Sequence, residues 1–517
     1  DEPAPAEEPA APAEEAAAPD GFSFPLAETE ELSYYFQWSQ ALADIMQDPE
    51  ELLYFRALDE ATNVHLNITP FLVTSAAELY PVMVASGDWC DIVDGVNGMY
   101  AGGYAQALSD EFILPLNDLM QYMPNYTALR EENPGFEDIL YLEDGTMPAF
   151  GMMYNGGYPI TYGLVIRDDY LEKVNMDKPQ TIEEYHDVLA AFKTELDVQN
   201  PLWVSMYGAY QNHAFSSAYG IIALTTANLD PPFHVENGKV SFDPTLPAMK
   251  DYLTMMHEWY EEGLIYNDFM TAANNFFPDF SLVGELGAFT IPVGIMNQMS
   301  MYSEDPDYQI SASYTPVMNK GDTVHIAYNS ADYSMTGTCL TTACEDPELA
   351  ARYIDFWYSE QGFYILNYGV EGETYEMVDG KPEYITENVF ADPSLTTDQS
   401  LKLVSKQNGT FVVDYLNRQS VAFNDAQMEA FDIWGIDQDD WNYPTNALMN
   451  EEESDTYATY YSEVSTYVTQ YIPQAILGDV DIEATWDEYV ATCEDLGSIE
   501  ITQAKQSALD RYLSSRG

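Results

Sequence analysis

The chain has 517 residues, 46% of them hydrophobic, which suits two or three globular domains with sizeable cores. Its 87 acidic residues against 17 basic ones give a formal net charge of −70. That balance excludes recognition of nucleic acid through a phosphate-neutralising face and of anionic membrane through a basic patch.

The first 21 residues, "DEPAPAEEPAAPAEEAAAPDG", alternate Pro, Ala and Glu. Such a segment buries no core and reads as an extended, solvated tether. With no secretory apolar region in front of it, the start reads as that of a mature chain whose signal has been removed. No apolar run approaches the ~20 residues that span a bilayer. After the tether, "SYYFQW" (33–38) has the aromatic content of a buried strand. Residues 48–63 carry apolar side chains at helical spacing behind an Asp48–Pro49 start signal. Residues 64–71 alternate as a strand, 75–88 predict a helix interrupted at Pro81, and 90–95 predict a short buried strand. Strand, helix, strand, helix, strand is the order of a parallel α/β sheet, whose ligands bind beyond the carboxyl ends of the strands. That rule nominates Trp38, Phe71 and Asp94.

The same logic returns downstream. Residues 161–176 predict a strand and a short helix. Residues 178–196 predict a helix capped by Thr181, with Glu184 completing a capping box. A helix over 247–263 closes at Gly263, and one over 346–362 starts at Asp346–Pro347 and stops at Gly362. From about residue 450 the chain reads as mostly helical, most clearly over 485–497 and 502–515.

Motifs for chemistry are sparse. Cys90, Cys339, Cys344 and Cys493 form no Cys-x-x-Cys pair and read as free thiols, with a Cys339–Cys344 bridge left open. "HEWYE" (257–261) ends in Glu261 where a zinc motif needs histidine. Glu371 and Glu373 flank Gly372, but in so acidic a chain a close pair is expected by chance. No serine elbow or phosphate loop is present, and no cofactor or metal is expected.

Six segments together resemble the extracellular solute-binding lipoproteins of bacterial ABC importers, in the branch that serves oligosaccharide uptake in Gram-positive bacteria. They are "PLNDLMQYMPNYTALREENPG" (115–135), "EDGTMPAF" (143–150), "YGLVIRDDYLEKVNMDKPQTIEEYHDVLAAFK" (162–193), "YEEGLIYNDF" (260–269), "EDPELAARYIDFWYSEQGFYILNYGVEGETYEMVDGKPEY" (345–384) and "ATWDEYVATCEDLGSIEITQAKQSALDRY" (484–512). The resemblance implies an α/β, two-lobed periplasmic-binding-protein-like fold of type II, with a ligand cleft between lobes and a helical C-terminal region. It implies a tether over 1–30, a first lobe of 31–150 with 310–365, and a second lobe of 151–309 with 366–517. The glycines Gly369 and Gly372 then read as hinge positions. Many relatives carry a calcium-like loop after the "AAFK" helix; "TELDVQNPLW" (194–203) lacks its ligand spacing, so no calcium is expected there. The later acidic run "GIDQDDWN" (435–442) likewise lacks the loop's glycine and terminal Glu, and reads as a solvated turn.

The implied function is capture of an oligosaccharide outside the cell and its delivery to ABC permease transmembrane subunits, by a monomer held at the membrane only through an N-terminal lipid anchor. A secreted glycoside-active enzyme and a lipid-anchored sensor subunit remain alternatives. A sugar offers hydroxyl edges and apolar faces, so its site combines flat rings with polar side chains. Three stretches have that mixture. Residues 150–162 hold Tyr154, Asn155, Tyr158 and Tyr162; residues 203–217 hold Trp203, Tyr207, Tyr210, His213 and Phe215; residues 327–337 hold Asn329, Asp332 and Tyr333. Trp38, Asp94, Asn97, Asn297 and Trp434 are outlying candidates. An acidic ligand needs a cation, and Arg167, Lys320 and Arg418 are the ones to examine. Their scarcity favours a neutral sugar, with a uronate-containing oligosaccharide or a peptide or amine as variants.

Overall fold

A computed structural model describes residues 22–514, apart from 73–74, 143, 158–159, 205–212, 223–232, 271–284, 298, 300–302, 304, 326–331, 336, 407–408, 436–440, 442, 445–446 and 448. The sheet strands run in chain order as β1 (Glu30–Trp38), β2 (Val64–Leu72), β3 (Ile92–Val93), β4 (Met152–Tyr154), β5 (Tyr162–Arg167), β6 (Asn200–Leu202), β7 (Leu286–Pro292), β8 (Ile310–Ala312), β9 (Tyr333–Ser334), β10 (Cys339–Leu340) and β11 (Val412–Val413). The helices used below are α1 (Leu53–Thr62), α2 (Ala76–Ser86), α3 (Gly103–Ser109), α4 (Pro124–Glu132), α5 (Ile182–Leu196), α6 (Pro247–Glu261), α7 (Pro347–Phe356), α8 (Glu360–Tyr368), α9 (Asp425–Trp434), α10 (Glu451–Leu477), α11 (Ile482–Asp495) and α12 (Ser498–Ser514).

Contacts divide the chain into two compact units, 1–158 with 331–422 and 159–330 with 423–517. In the first, a sheet of order β10-β3-β1-β2 has β2 and β3 parallel to β1, as the strand–helix alternation predicts, and β10 antiparallel to β3. A smaller sheet, β9-β4-β11, adds to it. In the second unit the order is β8-β5-β7-β6. Its core joins α5 and α6 to the long C-terminal helices, through residues such as Leu189, Phe192, Leu253, Trp259, Val468 and Trp486.

The division differs from the expected lobes chiefly in two segments. Residues 366–422 belong with the first unit. Tyr368, Tyr375, Tyr384, Val404 and Phe411 are buried in the same core as Leu32, Tyr34 and Leu58, and β11 pairs with β4. Residues 310–330 belong with the second, because β8 pairs with β5. Gly369 and Gly372 therefore lie inside the first unit. Both take positive φ, 88° and 78°, in the turn after α8. The Thr374 hydroxyl fixes that turn, donating to the Tyr368 carbonyl at 2.6 Å and accepting from the Val370 N–H at 2.8 Å. Glu371 and Glu373 are exposed on the same turn.

Local signals hold where chemistry is local. The Thr181 hydroxyl accepts from the Glu184 N–H at 3.2 Å, although the Glu184 carboxylate reaches back to the Gln180 N–H instead of that of Thr181. Two helix boundaries differ. Pro81 lies inside an unbroken α2. Gly362 lies inside α8: the Ser359 side chain restarts the helix by accepting from the Gly362 N–H, and a Cβ on Gly362 would fall 2.0 Å from the Phe356 carbonyl oxygen. Glycine is there for close approach, not for termination.

Asp355 on α7 is 3% exposed. It accepts the Tyr126 N–H at 2.8 Å and both the N–H and side-chain amide of Asn125, at the start of α4. Burial pushes its carboxyl up to about 7 against the pull of these donors. A carboxyl whose folded pKa exceeds its unfolded value opposes folding once ionised. Its contribution is intact below pH ~4 and declines as pH rises toward 7. The difference in unfolding free energy between wild type and Asp355→Asn, from urea titrations at pH 4 to 8, should therefore shrink by ~1–3 kcal/mol with rising pH. A pH-independent difference would show that Asp355 stays ionised throughout.

Candidate functional site

The carboxyl ends of β1, β2 and β3 come together around Asp94, which is 8% exposed. Its Oδ2 accepts the Tyr34 hydroxyl at 2.7 Å and the Gln37 N–H at 3.2 Å. Its Oδ1 accepts the Thr338 hydroxyl at 2.8 Å. Thr338 in turn accepts from the Thr410 hydroxyl at 2.6 Å, and its N–H donates to Thr410 Oγ1 at 2.7 Å. Lys406, 2% exposed, lies over the rings of Phe36 and Trp357 at 5.3 and 5.7 Å. Burial pulls its ammonium below the ordinary lysine range, and the Asp94 charge pulls it back. Burial, then Asp94, push the Tyr34 hydroxyl well above the usual range. Gly337 admits no side chain here, since a Cβ would fall 1.5 Å from the Phe150 carbonyl oxygen.

The small sheet extends from this end and carries the exposed part of the site. β9 and β11 flank β4, so Tyr154, Asn155, Asp332, Tyr333, Asp414 and Tyr415 leave neighbouring strand ends. The Tyr154 N–H donates to the Asp332 carbonyl at 2.9 Å, and the Asn155 N–H to that of Val413 at 2.8 Å. Tyr154 meets Tyr415 edge to face at 6.4 Å. Tyr333 packs on Phe136 at 5.7 Å and lies so close to Gly135 that a Cβ there would be 2.9 Å from its ring. Gly157, at φ 84°, leaves room for Asp332, whose Oδ1 would lie 2.9 Å from a Cβ. Burial pushes the Asp414 carboxyl up, although Tyr368, Arg418, Asn417 and Asn155 all favour its charge. The three tyrosines are half-buried and Asp332 is exposed. Flat rings beside carboxylates and an amide can stack on apolar faces and bind hydroxyls.

In the second unit, Asn297 is fixed by donating to Gln427 Oε1 at 2.6 Å and accepting from the Asn424 side-chain amide. Asn424 and Gln427 form the capping box that opens α9. Tyr162 starts β5, paired with Pro292, and is half-buried.

Four nominated rings are core instead. Trp38 is buried with the first unit's main cluster. Trp203 is buried beside β7, its N–H bonded to the Ala288 carbonyl at 3.0 Å. Phe215 packs on Tyr185 and Trp259. Trp434 lies against Gly163, where a Cβ would be 2.3 Å from the indole, and its Nε1 donates to the Leu164 carbonyl at 2.9 Å. Tyr158, Tyr207, Tyr210 and Asn329 lie outside the described residues. His213 opens a one-turn helix, but its side chain is likewise outside them. Asn97 is exposed near Gly103. Gln37, Asp414, Tyr415, Asn424 and Gln427 escaped the sequence reading. "NGTFVVDY" (408–415), a strand delivering Asp and Tyr at its exit, was the available signal for two of them.

The three cations nominated for an acidic ligand are committed elsewhere. Arg167 is fully buried, bonded to Asp169 at 2.6 and 2.8 Å and to Asp305 at 3.0 Å. Lys320 pairs with Glu184 at 2.6 Å. Arg418 donates to the Lys406 carbonyl at 2.6 Å. All four cysteines are free. Among the described residues no group of three or more His, Cys, Asp or Glu is placed to hold a metal ion, and no helix is long and apolar enough to cross a membrane.

No family model matches the chain. Solved structures give its fold. It superposes on an extracellular solute-binding protein from Bifidobacterium longum subsp. infantis with a TM-score of 0.73 at 15% identity, covering 95% of this chain and 100% of that one. The two α/β units are the solute-binding-protein fold. In sequence, the chain is similar to ABC-transporter substrate-binding proteins, the family that the six segments resemble. It is 23% identical over 536 residues to the fructooligosaccharide ABC transporter substrate-binding protein FusA of Streptococcus pneumoniae serotype 4, spanning 96% of this chain and 93% of FusA. The structure of FusA in complex with kestose superposes with a TM-score of 0.69 at 19% identity, covering 94% of this chain and 100% of that one. Lipoprotein LipO of Bacillus subtilis strain 168 is 23% identical over 334 residues, 63% of this chain and 64% of LipO.

Replacing Asp94 with Ala would leave Tyr34 and Thr338 short of an acceptor and deprive buried Lys406 of the charge that opposes its desolvation. Chemical denaturation should show a loss of ~3–5 kcal/mol. A loss within ~0.5 kcal/mol, the scatter of surface substitutions, would show that the network carries no coupled stability.

Proposed function

We propose that this chain is the extracellular substrate-binding receptor of an ABC importer, and that it captures a neutral oligosaccharide and delivers it to a membrane permease without breaking any bond. The observation that carries the reading is the near full-length correspondence with FusA in both sequence and fold. The half-buried tyrosines and carboxylates of the small sheet support a sugar ligand. The commitment of Arg167, Lys320 and Arg418 to other partners supports a neutral one over a uronate. Capture by closure of two lobes, and retention at the membrane by an N-terminal lipid anchor, complete the proposal. The LipO relationship supports the anchor. Fructo-oligosaccharides such as kestose are the first ligands to try.

Thermal unfolding against a panel of neutral and uronic oligosaccharides, amino acids and peptides tests the reading. A ligand at 100 times its dissociation constant should add ~2.7 kcal/mol of stability. Intact sugar recovered after the shift supports a receptor, and cleaved sugar would move the case to an enzyme. Stabilisation by amino acids or peptides alone would overturn the ligand class.

Tyr154, Tyr333 and Tyr415 are the proposed unit-one contacts. Tyr333→Ala and Tyr154→Ala should each weaken the best sugar by ~1–2 kcal/mol, about tenfold, when titrated calorimetrically. Unchanged affinity in both variants would remove the small sheet from the site.

A further inference from the structure

The first sheet has a second end. β10 runs antiparallel to β3, pairing Leu340 with Ile92 and Cys339 with Val93. Thr338 and Asp94 therefore mark the carboxyl end of β3, where the candidate site lies. Thr342 and Trp89 mark the amino end. A groove of about 660 Å³ opens there, its lining including the apolar residues Trp89, Leu108 and Leu114 and the acidic residues Asp110, Glu111 and Asp144. Among the described residues no lysine or arginine lines it. Nothing in the proposed sugar site uses it.

The groove is fixed in place. The Trp89 indole donates to the Val84 carbonyl at 2.9 Å and sits edge-on to Phe112 at 4.9 Å. Asp110 accepts from Tyr100 at 2.8 Å and from Gln106 at 2.7 Å. The Thr342 hydroxyl holds the Glu111 carbonyl at 2.6 Å. Helix α2 packs on the same cluster as Trp89 and Leu108. Met83, Val84, Trp89 and Leu108 pack on one cluster, and the neighbouring Leu79 and Val82 stand 47% and 66% exposed. Exposed apolar surface of this kind, rimmed by polar groups, marks interaction sites in soluble proteins.

We propose that this groove docks a segment of a partner protein that combines apolar side chains with lysine or arginine. The chemistry selects that occupant. Three carboxylates with no lining cation favour a positive group and repel anionic lipid or an acidic peptide. An indole face and apolar floor suit the methylene stem of Lys or a stacked guanidinium, with the charged head reaching Asp110, Glu111 or Asp144. The −70 charge of the whole chain steers a cationic partner inward, and the apolar floor gives the contact a place. A transport receptor has to meet a second protein, and a surface at the other end of the sheet leaves the candidate sugar site open. The proposal does not rest on the ligand assignment.

The test uses the full chain with isotope-labelled indoles, the Trp89 signal being assigned by its loss in Trp89→Phe. The probes are short Leu/Lys, Ser/Lys and Leu/Glu peptides. The Leu/Lys peptide should shift the Trp89 signal saturably and more tightly than the other two. Asp110→Asn, Glu111→Gln and Asp144→Asn together should weaken it about tenfold. Removing three exposed carboxylates elsewhere in the same unit, by Glu60→Gln, Glu376→Gln and Glu383→Gln, should change it less than about twofold. The proposal is overturned if Trp89 does not respond, if Leu/Glu or Ser/Lys binds as well, or if both triple variants weaken binding equally, since that is diffuse attraction to an acidic chain. Sugar-induced stabilisation of the same variants reads the ligand assignment separately.

Discussion

Asp94 holds a buried negative charge where three distant parts of the chain meet. An unpaired carboxylate there would be strongly unfavourable, so the surroundings are built to receive it. Tyr34 and Gln37 come from the central strand, Thr338 from the segment entering β10, and Lys406 from the approach to β11. The strands beside the half-buried tyrosines and Asp332 adjoin these same segments in the chain, β9 just before Thr338 and β11 just after Lys406. The position of the surface groups is thus inherited from a buried electrostatic match.

Much of the architecture was legible because its causes are local. Capping at Thr181, the start of α7 at Asp346, and the alternation that made β1, β2 and β3 parallel each depend on a few neighbouring residues. What was not legible depends on depth and long-range pairing. Trp38, Trp203, Phe215 and Trp434 have the composition of ligand contacts, but composition does not say which ring ends beneath a strand. Gly362 looked like a stop because glycine ends helices; only the approach of the Phe356 carbonyl shows why it sits inside one. Asp414 and Tyr415 reach the rim because β11 pairs with β4 from more than 250 residues away, a register that no local pattern encodes.

The scarcity of cations shapes the molecule twice. With 17 basic side chains against 87 acidic ones, those that exist are largely drawn into structure. Arg130 is tied to Glu137, Arg167 to Asp169 and Arg511 to Glu453, while Arg352 lies over Phe22 and Tyr122. Few are left to recognise anions. The acidic surplus remains on the surface, where it keeps the chain soluble and sets which partners approach.

The interleaved order of the units also governs how the chain can be made. The first sheet needs β10, and the small sheet needs β11, yet both follow the whole of 159–330. The second unit in turn draws core residues from α10, α11 and α12 at the far end. A ribosome releasing this chain from its N-terminus therefore holds no finished unit until Leu340 and Val413 have emerged. Neither unit can therefore close its core before most of the chain is present, whatever the route by which the chain is made.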